Sequence, residues 1–176
     1  MLHVIAFERL AVAVSDLYFV DPNPVPGQEG AERGVRLELR LAEAGDLVGS
    51  IYSARPITVD RPVWRCDLLE SVEHPGSFDR THHHPRFRGW EPCPRVFVPE
   101  LSADPLGWLT AQLGDPAALV TEAGVVDEVP ADDLEALAEA APEIVAVVER
   151  LLHGIAAGKL ARPPATVGAA ERISWL

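Results

Sequence analysis

The sequence predicts an α+β fold in which the strands come first and the helices follow. Residues 1–99 contain short apolar stretches rich in β-branched and aromatic residues, and one of them alternates apolar with polar residues. Residues 104–157 instead carry helix-start signals and apolar residues spaced by three or four. We therefore expect a mainly antiparallel, curved β-sheet covered by a layer of about four helices.

At 176 residues, the chain has the length of one domain with a substantial core. We expect a single domain over 1–176, made of the sheet (1–99, including a histidine-rich loop), the helical layer (104–157) and a tail (159–176). The apolar residues near the end of that tail predict that it docks on the domain, and they are Ile173, Trp175 and Leu176.

The clearest expected strand covers residues 34–42, where Val35, Leu37, Leu39 and Leu41 share one face. The turn residues 43–46 predict a hairpin to a second strand at 47–54. The other expected strands are 2–8, 10–20, 57–59, 63–71 and 95–98. Between them, the proline-rich residues 21–30 cannot continue a sheet, so the 21–33 loop is either a plain surface connection or a lid.

Alternation also assigns two faces to the strand at 63–71. One face carries Trp64, Cys66 and Leu68, and the other carries Arg65, Asp67 and Leu69. Because Cys66 lies between two large apolar residues, we expect it to be a buried free cysteine rather than a ligand.

Helix starts are marked by Asp104-Pro105 and Asp115-Pro116, in which the acid caps the helix and proline takes its first position. A third helix is expected from Asp132 or Asp133 to Ala141, and a fourth begins at Pro142. The fourth helix has an apolar stripe that we expect to pack on the stripe of the strand at 34–42, formed by Ile144, Val148, Leu151 and Ile155.

The formal net charge of −12 argues against general binding to nucleic acid, which an acidic protein repels. No run approaches the roughly 20 apolar residues of a membrane helix, and the apolar N-terminal residues lack a basic leader. Two cysteines without an export signal do not indicate a disulfide framework. These features predict a cytoplasmic protein with no membrane partner, and they leave its oligomeric state open.

The stretch most promising for chemistry is residues 72–99, which holds four of the six histidines. A residue before proline is pushed towards extended geometry, so Pro85 predicts an extended approach through residues 81–84. His82 and His84 then point to one side and His83 to the other. Pro75-Gly76 suits the centre of a type II turn, which would fold residues 77–84 back beside the preceding strand.

A divalent metal site, with zinc as the first expectation, is one hypothesis for this stretch. His82 and His84 would supply two nitrogen ligands from one face. The other donors in the stretch are His74, Asp79, Glu91 and Cys93. A metal-dependent hydrolase-like enzyme would keep an open coordination position for water, whereas a structural site would be closed.

Two alternatives do not need a metal. A histidine could act as general acid or base on an anionic substrate held by arginines, for which Arg65, Arg86 and Arg95 are the expected contacts. The chain could instead be a non-catalytic protein- or ligand-binding module, with Phe87 and Trp90 as interface anchors and the histidines in structural roles. Because no complete catalytic motif occurs in the sequence, all three hypotheses stay open.

Overall fold

The structure is a computed structural model, and it describes residues 1–163. Its main element is a five-stranded antiparallel sheet in the strand order β1-β2-β3-β4-β5, each strand pairing with the next. The strands are β1 Leu2–Ala6, β2 Leu10–Val20, β3 Ala31–Ala44, β4 Ile57–Ser71 and β5 His82–His84. A small separate hairpin follows, formed by β6 Phe87–Arg88 and β7 Glu91–Pro92. The predicted α+β class is confirmed.

The helices follow the strands, as predicted. Within the described residues there are four α-helices and one 3₁₀ turn, namely α1 Pro99–Ala103, α2 Pro105–Leu113, α3 Pro116–Ala123, the turn Val126–Glu128 and α4 Ala131–Ala156. The two Asp-Pro start signals are confirmed: Asp104 accepts a hydrogen bond from Gly107 N at 3.0 Å, and Asp115 accepts one from Ala118 N at 3.1 Å. None of the described helices combines the length and apolar character needed to cross a membrane.

The hydrophobic core lies between one face of the sheet and the helices. The stripe on β3 (Val35, Leu37, Leu39 and Leu41) and the stripe on α4 (Ile144, Val148, Leu151 and Ile155) are buried in one cluster, as predicted. From β4, Trp64, Cys66 and Leu68 join the same cluster, so the expected burial of Cys66 as a free thiol is confirmed. Each of these elements has one apolar face, and burying the faces together removes them from water.

The opposite face of the sheet is charged, yet most of it is also covered. The register places Arg36 beside Asp67 and Glu38 beside Arg65 on this second face. Residues 85–97, which we call the cover segment, fold over it: Phe87 packs on Arg65 and Trp90 on Arg40, with 5.1 and 5.4 Å from guanidinium carbon to ring centroid. We call this second side of the sheet the polar face.

The predicted hairpin from residues 34–42 to 47–54 is wrong. Residues 45–56 form a loop, and its large side chains Val48, Ile51 and Tyr52 are exposed. The strand that follows β3 and pairs with it is instead β4, which unites the two strands expected at 57–59 and 63–71. The intervening Pro62 is tolerated because it lies where the register with β3 shifts, near Arg40.

Two other predicted boundaries also need correction. The third and fourth helices are one helix, α4, with Pro142 inside it. Leu137 and Ala141 before the proline are buried in the same core as Ile144 after it, so tertiary packing outweighs the local cost of proline. The strand expected at 95–98 is reduced to a single bridge, between Val96 and His83.

The C-terminal tail is described only as far as Pro163. Within it, Ala161 N donates to Asp16 Oδ2 at 2.7 Å. The predicted docking of Ile173, Trp175 and Leu176 lies outside the described residues.

The proline-rich loop at 21–30 lies beside the histidine region, because Arg80 donates to the carbonyl of Gly27.

The start of α4 is joined to the β1–β2 turn by Asp133. Its buried carboxylate accepts hydrogen bonds from three backbone N–H groups, those of Glu8, Arg9 and Leu10, at 3.1, 2.7 and 2.8 Å. We expect Asp133→Ala to lower the free energy of unfolding by about 2 kcal/mol, because these donors lose their acceptor. Urea denaturation measures the change. The control is Asp132→Ala, at the exposed neighbouring residue. It removes the same charge from the same helix turn and should lower the free energy of unfolding far less.

Candidate metal centre

Pairing between β4 and β5 brings a carboxylate and two imidazoles together on the polar face. Asp67 lies opposite His82 in the register, and His84 is the next residue on that face. Asp67 Oδ2 is 3.4 Å from His82 Nε2 and 3.8 Å from His84 Nε2, and a ligand atom from each of the three residues lies within 4.8 Å of the others. All three are buried, with 1% of Asp67, 1% of His82 and 6% of His84 exposed.

The other ring nitrogens show which tautomers face the carboxylate. His82 Nδ1 is 2.7 Å from the carbonyl oxygen of Arg80, and His84 Nδ1 is 2.6 Å from that of Cys93. A carbonyl oxygen can only accept, so each Nδ1 carries the hydrogen and donates it. In the neutral rings, each Nε2 therefore presents a lone pair towards Asp67. This arrangement, with Nδ1–H held by a carbonyl, is the usual second-shell support of a metal-binding histidine.

The charge states reinforce this arrangement. Burial alone would raise the pKa of Asp67, but the adjacent Arg36 outweighs it, together with His82 when that ring is protonated and donates from Nε2, and the pKa is held well below its usual value. Burial, the largest influence on His84, lowers its pKa to about 4. At neutral pH an ionised carboxylate thus faces the lone pair of His84. Acceptors that face each other in a buried site need a proton or a cation between them.

Arg36 fixes the carboxylate from the opposite side. Its Nε donates to Asp67 Oδ1 at 2.7 Å and its Nη2 to Oδ2 at 3.0 Å, a bidentate pair that sets the plane of the carboxylate. Each oxygen of a carboxylate can accept more than one hydrogen bond, so Oδ2 keeps a lone pair for a ligand on the histidine side.

The cover segment closes the group of three towards solvent. The ring centroid of Phe97 is 5.6 Å from that of His82, and the centroid of Phe87 is 6.4 Å from that of His84. These aromatic contacts limit access of bulk water and lower the local dielectric constant, which strengthens the attraction between a cation and the carboxylate.

Comparison of the chain with protein-family models, with curated proteins and with solved structures finds no match. The chemistry of the three side chains is thus the guide to what they do. Two imidazoles and one carboxylate are a donor set found around zinc and around non-haem iron.

The structure brings together two of the six expected metal ligands, His82 and His84, and places the other four elsewhere. His74 is exposed, with Nδ1 at 3.0 Å from Ser71 Oγ. Asp79 accepts from Ser71 N at 2.7 Å and so ties down the turn before β5. Glu91 is exposed on β7, and Cys93 contributes to the site through its carbonyl oxygen rather than its thiol.

The three arginines expected to hold an anion all have acceptors within the protein. Arg65 Nε donates to Glu38 Oε1 at 2.9 Å, and Arg95 Nη1 donates to Glu32 Oε1 at 2.9 Å. Arg86 is exposed, and its Nε donates to the carbonyl of Glu122 at 2.7 Å. Of these, Arg65 lies nearest the group of three, because it pairs with His84 in the register.

The sequence predicts the strand face on which Asp67 lies, but Asp67 is not among the expected metal ligands. Its signal in the sequence is an acidic side chain inside a strand of otherwise buried residues, directly before the turn that leads back to the histidines. A buried charge of this kind is normally paired. Its partners depend on the register of β4 against both neighbouring strands.

Proposed function

We propose that this protein binds a divalent metal ion through His82 Nε2, His84 Nε2 and the carboxylate of Asp67. The observation that carries the proposal is the convergence of two imidazole Nε2 atoms on a buried carboxylate, with both Nδ1 atoms already engaged by backbone carbonyls. A neutral histidine that binds a metal through Nε2 carries its hydrogen on Nδ1.

The distances favour zinc as the first ion to test. Ligand atoms that each lie about 2.0–2.1 Å from a tetrahedral zinc are roughly 3.3–3.4 Å apart. The separations from Asp67 Oδ2 to the two Nε2 atoms are 3.4 and 3.8 Å, so small side-chain shifts would complete this geometry. Other divalent ions that accept nitrogen and carboxylate ligands are the alternatives in the same experiment.

A catalytic role follows from the ligand number. Among residues 1–163, the group that could share one ion consists of these three side chains, and three protein ligands leave a coordination position open, as in catalytic rather than structural zinc sites. When bound, such an ion lowers the pKa of a coordinated water and so supplies a nucleophile for hydrolysis. Arg36 would then orient the carboxylate ligand, and Phe87 and Phe97 would limit entry of water. We therefore propose a metal-dependent, hydrolase-like activity at this site.

The test is elemental analysis of protein purified without a histidine tag, followed by thermal denaturation with chelator and with added zinc. We expect stoichiometric metal. At a free zinc concentration 100 times the Kd, the native state gains about 2.7 kcal/mol, which should raise the Tm by roughly 5–10 °C. The double variant His82→Ala, His84→Ala should lose both the metal and the zinc-dependent rise in Tm.

Two other histidines serve as controls. His74→Ala removes an exposed imidazole from the same stretch and should leave metal content unchanged. His83 is buried between Trp64 and Trp108, at 6.3 and 5.2 Å between ring centroids, so His83→Ala should lower the Tm without lowering metal content. Absence of stoichiometric metal together with an unchanged Tm in zinc would contradict the proposal, and would favour a proton shared between Asp67 and His82 instead.

A further inference from the structure

A cavity opens on the polar face, on the other side of Arg36 from the group of three. It has a volume of about 180 Å³, smaller than the pockets that hold drug-sized ligands. Its walls come from the first four strands, and the lining residues are Leu2, Val4, Ala13, Ser15, Arg36, Glu38, Arg40 and Val59. A cavity of this size is suited to a small molecule.

The charges around this cavity do not balance. Arg36, Arg40 and Arg65 form ion pairs with two carboxylates, those of Glu38 and Asp67. Within the described part of the chain, no carboxylate other than these two has an oxygen within 4 Å of the three guanidinium groups. The three arginine side chains are only 13–14% exposed, so one surplus positive charge is largely removed from water. A buried surplus charge is costly unless a counter-ion compensates it.

The hydrogen-bond donors of two of these arginines are only partly used. Arg36 donates from Nε and Nη2, and Arg40 donates from Nε to the carbonyl of Asp60 and from Nη1 to Glu38. Among the described residues, no acceptor pairs with Arg36 Nη1 or Arg40 Nη2. Glu38 between them already accepts from Arg40 at Oε2 and from Arg65 at Oε1, so its single negative charge is shared by two arginines. The unused N–H groups belong to two residues that line the cavity.

The rest of the cavity wall is apolar. Leu2 and Val4 on the edge strand β1 are 54% and 46% exposed, so they present apolar surface at the rim of the cavity. Ala13 and Val59 line the wall beside them. A ligand that suits this cavity has one anionic group and a short aliphatic portion.

We infer that this cavity binds a small aliphatic carboxylate, with its anionic group on Arg36 and Arg40 and its hydrocarbon part against Leu2, Val4, Ala13 and Val59. The carboxylate supplies the missing counter-charge and accepts from the unused N–H groups. The site is separate from the proposed metal centre, because Arg36 lies between them. Binding there needs no metal ion.

The probe is hexanoate, titrated into the full-length protein after removal of metal by a chelator, at constant ionic strength. We expect a saturable rise in Tm and a saturable heat of binding. Hexanamide, its uncharged counterpart of the same shape, should bind at least tenfold more weakly because it brings no counter-charge. Acetate should also bind more weakly, because it lacks the aliphatic portion.

Two variants with equal net charge locate the site. Val4→Glu places a carboxylate at the rim of the cavity and should weaken hexanoate binding at least tenfold, whereas Val48→Glu adds the same charge on the distant, exposed 45–56 loop and should not. Ala13→Leu fills the cavity while keeping every charged side chain, and it should also abolish binding. Zinc binding by these variants should be unchanged.

Each other result overturns the inference. Equal binding of hexanamide would show that the cavity does not select an anion. Equal effects of Val4→Glu and Val48→Glu would show only a response to net charge. Hexanoate binding that appears only after zinc is restored would place the carboxylate on the metal instead. Failure to find metal in the protein would leave the cavity test unaffected, so the two proposals fail separately.

Discussion

Asp67→Ala is expected to lower the free energy of unfolding of the metal-free protein by about 3–5 kcal/mol, the usual cost of breaking a buried ion pair. The variant leaves the Arg36 guanidinium without the carboxylate that binds it in two places. Arg36 is then buried on a face where the positive charges already exceed the negative ones. Urea denaturation in the presence of a chelator measures this loss without a contribution from bound metal.

The cost should come from the unpaired charge rather than from the missing side chain. Combining Asp67→Leu with Arg36→Met removes both charges and should recover most of the stability, since apolar replacements of buried ion pairs are often neutral or favourable. The exposed pair between Arg9 and Glu43 is the comparison. Glu43→Ala should cost at most about 1 kcal/mol. If Asp67→Ala lowered the free energy of unfolding by no more than Glu43→Ala does, water would have to reach Arg36. The polar face would then not be shielded from solvent.

Trp64→Ala is expected to cost about 3–5 kcal/mol, the range for removing a large buried aromatic side chain. Trp64 has no exposed surface and stacks on Trp108, with 6.3 Å between ring centroids. It lies on β4, on the core side of the sheet, whereas the proposed metal centre lies on the polar face. Thermal or urea denaturation gives the change in stability, and we expect native secondary structure at low temperature.

Trp64→Phe separates packing from hydrogen bonding at the same position. The indole Nε1 of Trp64 is buried and has no hydrogen-bond partner among the described residues. Phenylalanine keeps most of the ring contact and removes this unsatisfied donor, so its cost should be well below that of alanine. A loss as large as that of Trp64→Ala would mean that the indole N–H has a partner, such as a buried water.

Much of the sheet was predictable because its information is local. The alternation over residues 34–42 assigns Val35, Leu37 and Leu39 to the core, since side chains in a strand alternate strictly between faces. Strand pairing is not local in the same way. The 14 residues of β3 pair along most of their length with β4, which lies beyond a loop whose own apolar residues, such as Ile51, gave a false strand signal.

Helix boundaries also depend partly on local sequence signals and partly on packing between distant residues. Asp104 and Asp115 are local caps, and both helices begin where the sequence predicts. Pro142 is also a local signal, but α4 continues through it because the residues on both sides bury their apolar groups in one core. The free energy of that burial is a property of the folded chain and is absent from any short window of sequence.

The placement of two of the three site residues follows from one proline. Pro85 predicts the extended geometry of residues 81–84, and the structure has His82 and His84 on one face with His83 turned into the core. Asp67 could not be assigned in this way, because its proximity to His82 depends on the register between β4 and β5. A change of one residue in that register would turn His82 and His84 away from Asp67.

The order of the site residues along the chain has a consequence for folding. Asp67, His82, His84 and the two carbonyls that hold the imidazoles all fall within residues 67–93, so their mutual contacts require only a short loop to close. Contacts of low sequence separation form early, before distant segments are brought together. The ligand set can therefore assemble on a β4–β5 hairpin before α4 docks, and a metal ion captured at that stage would favour the correct strand register.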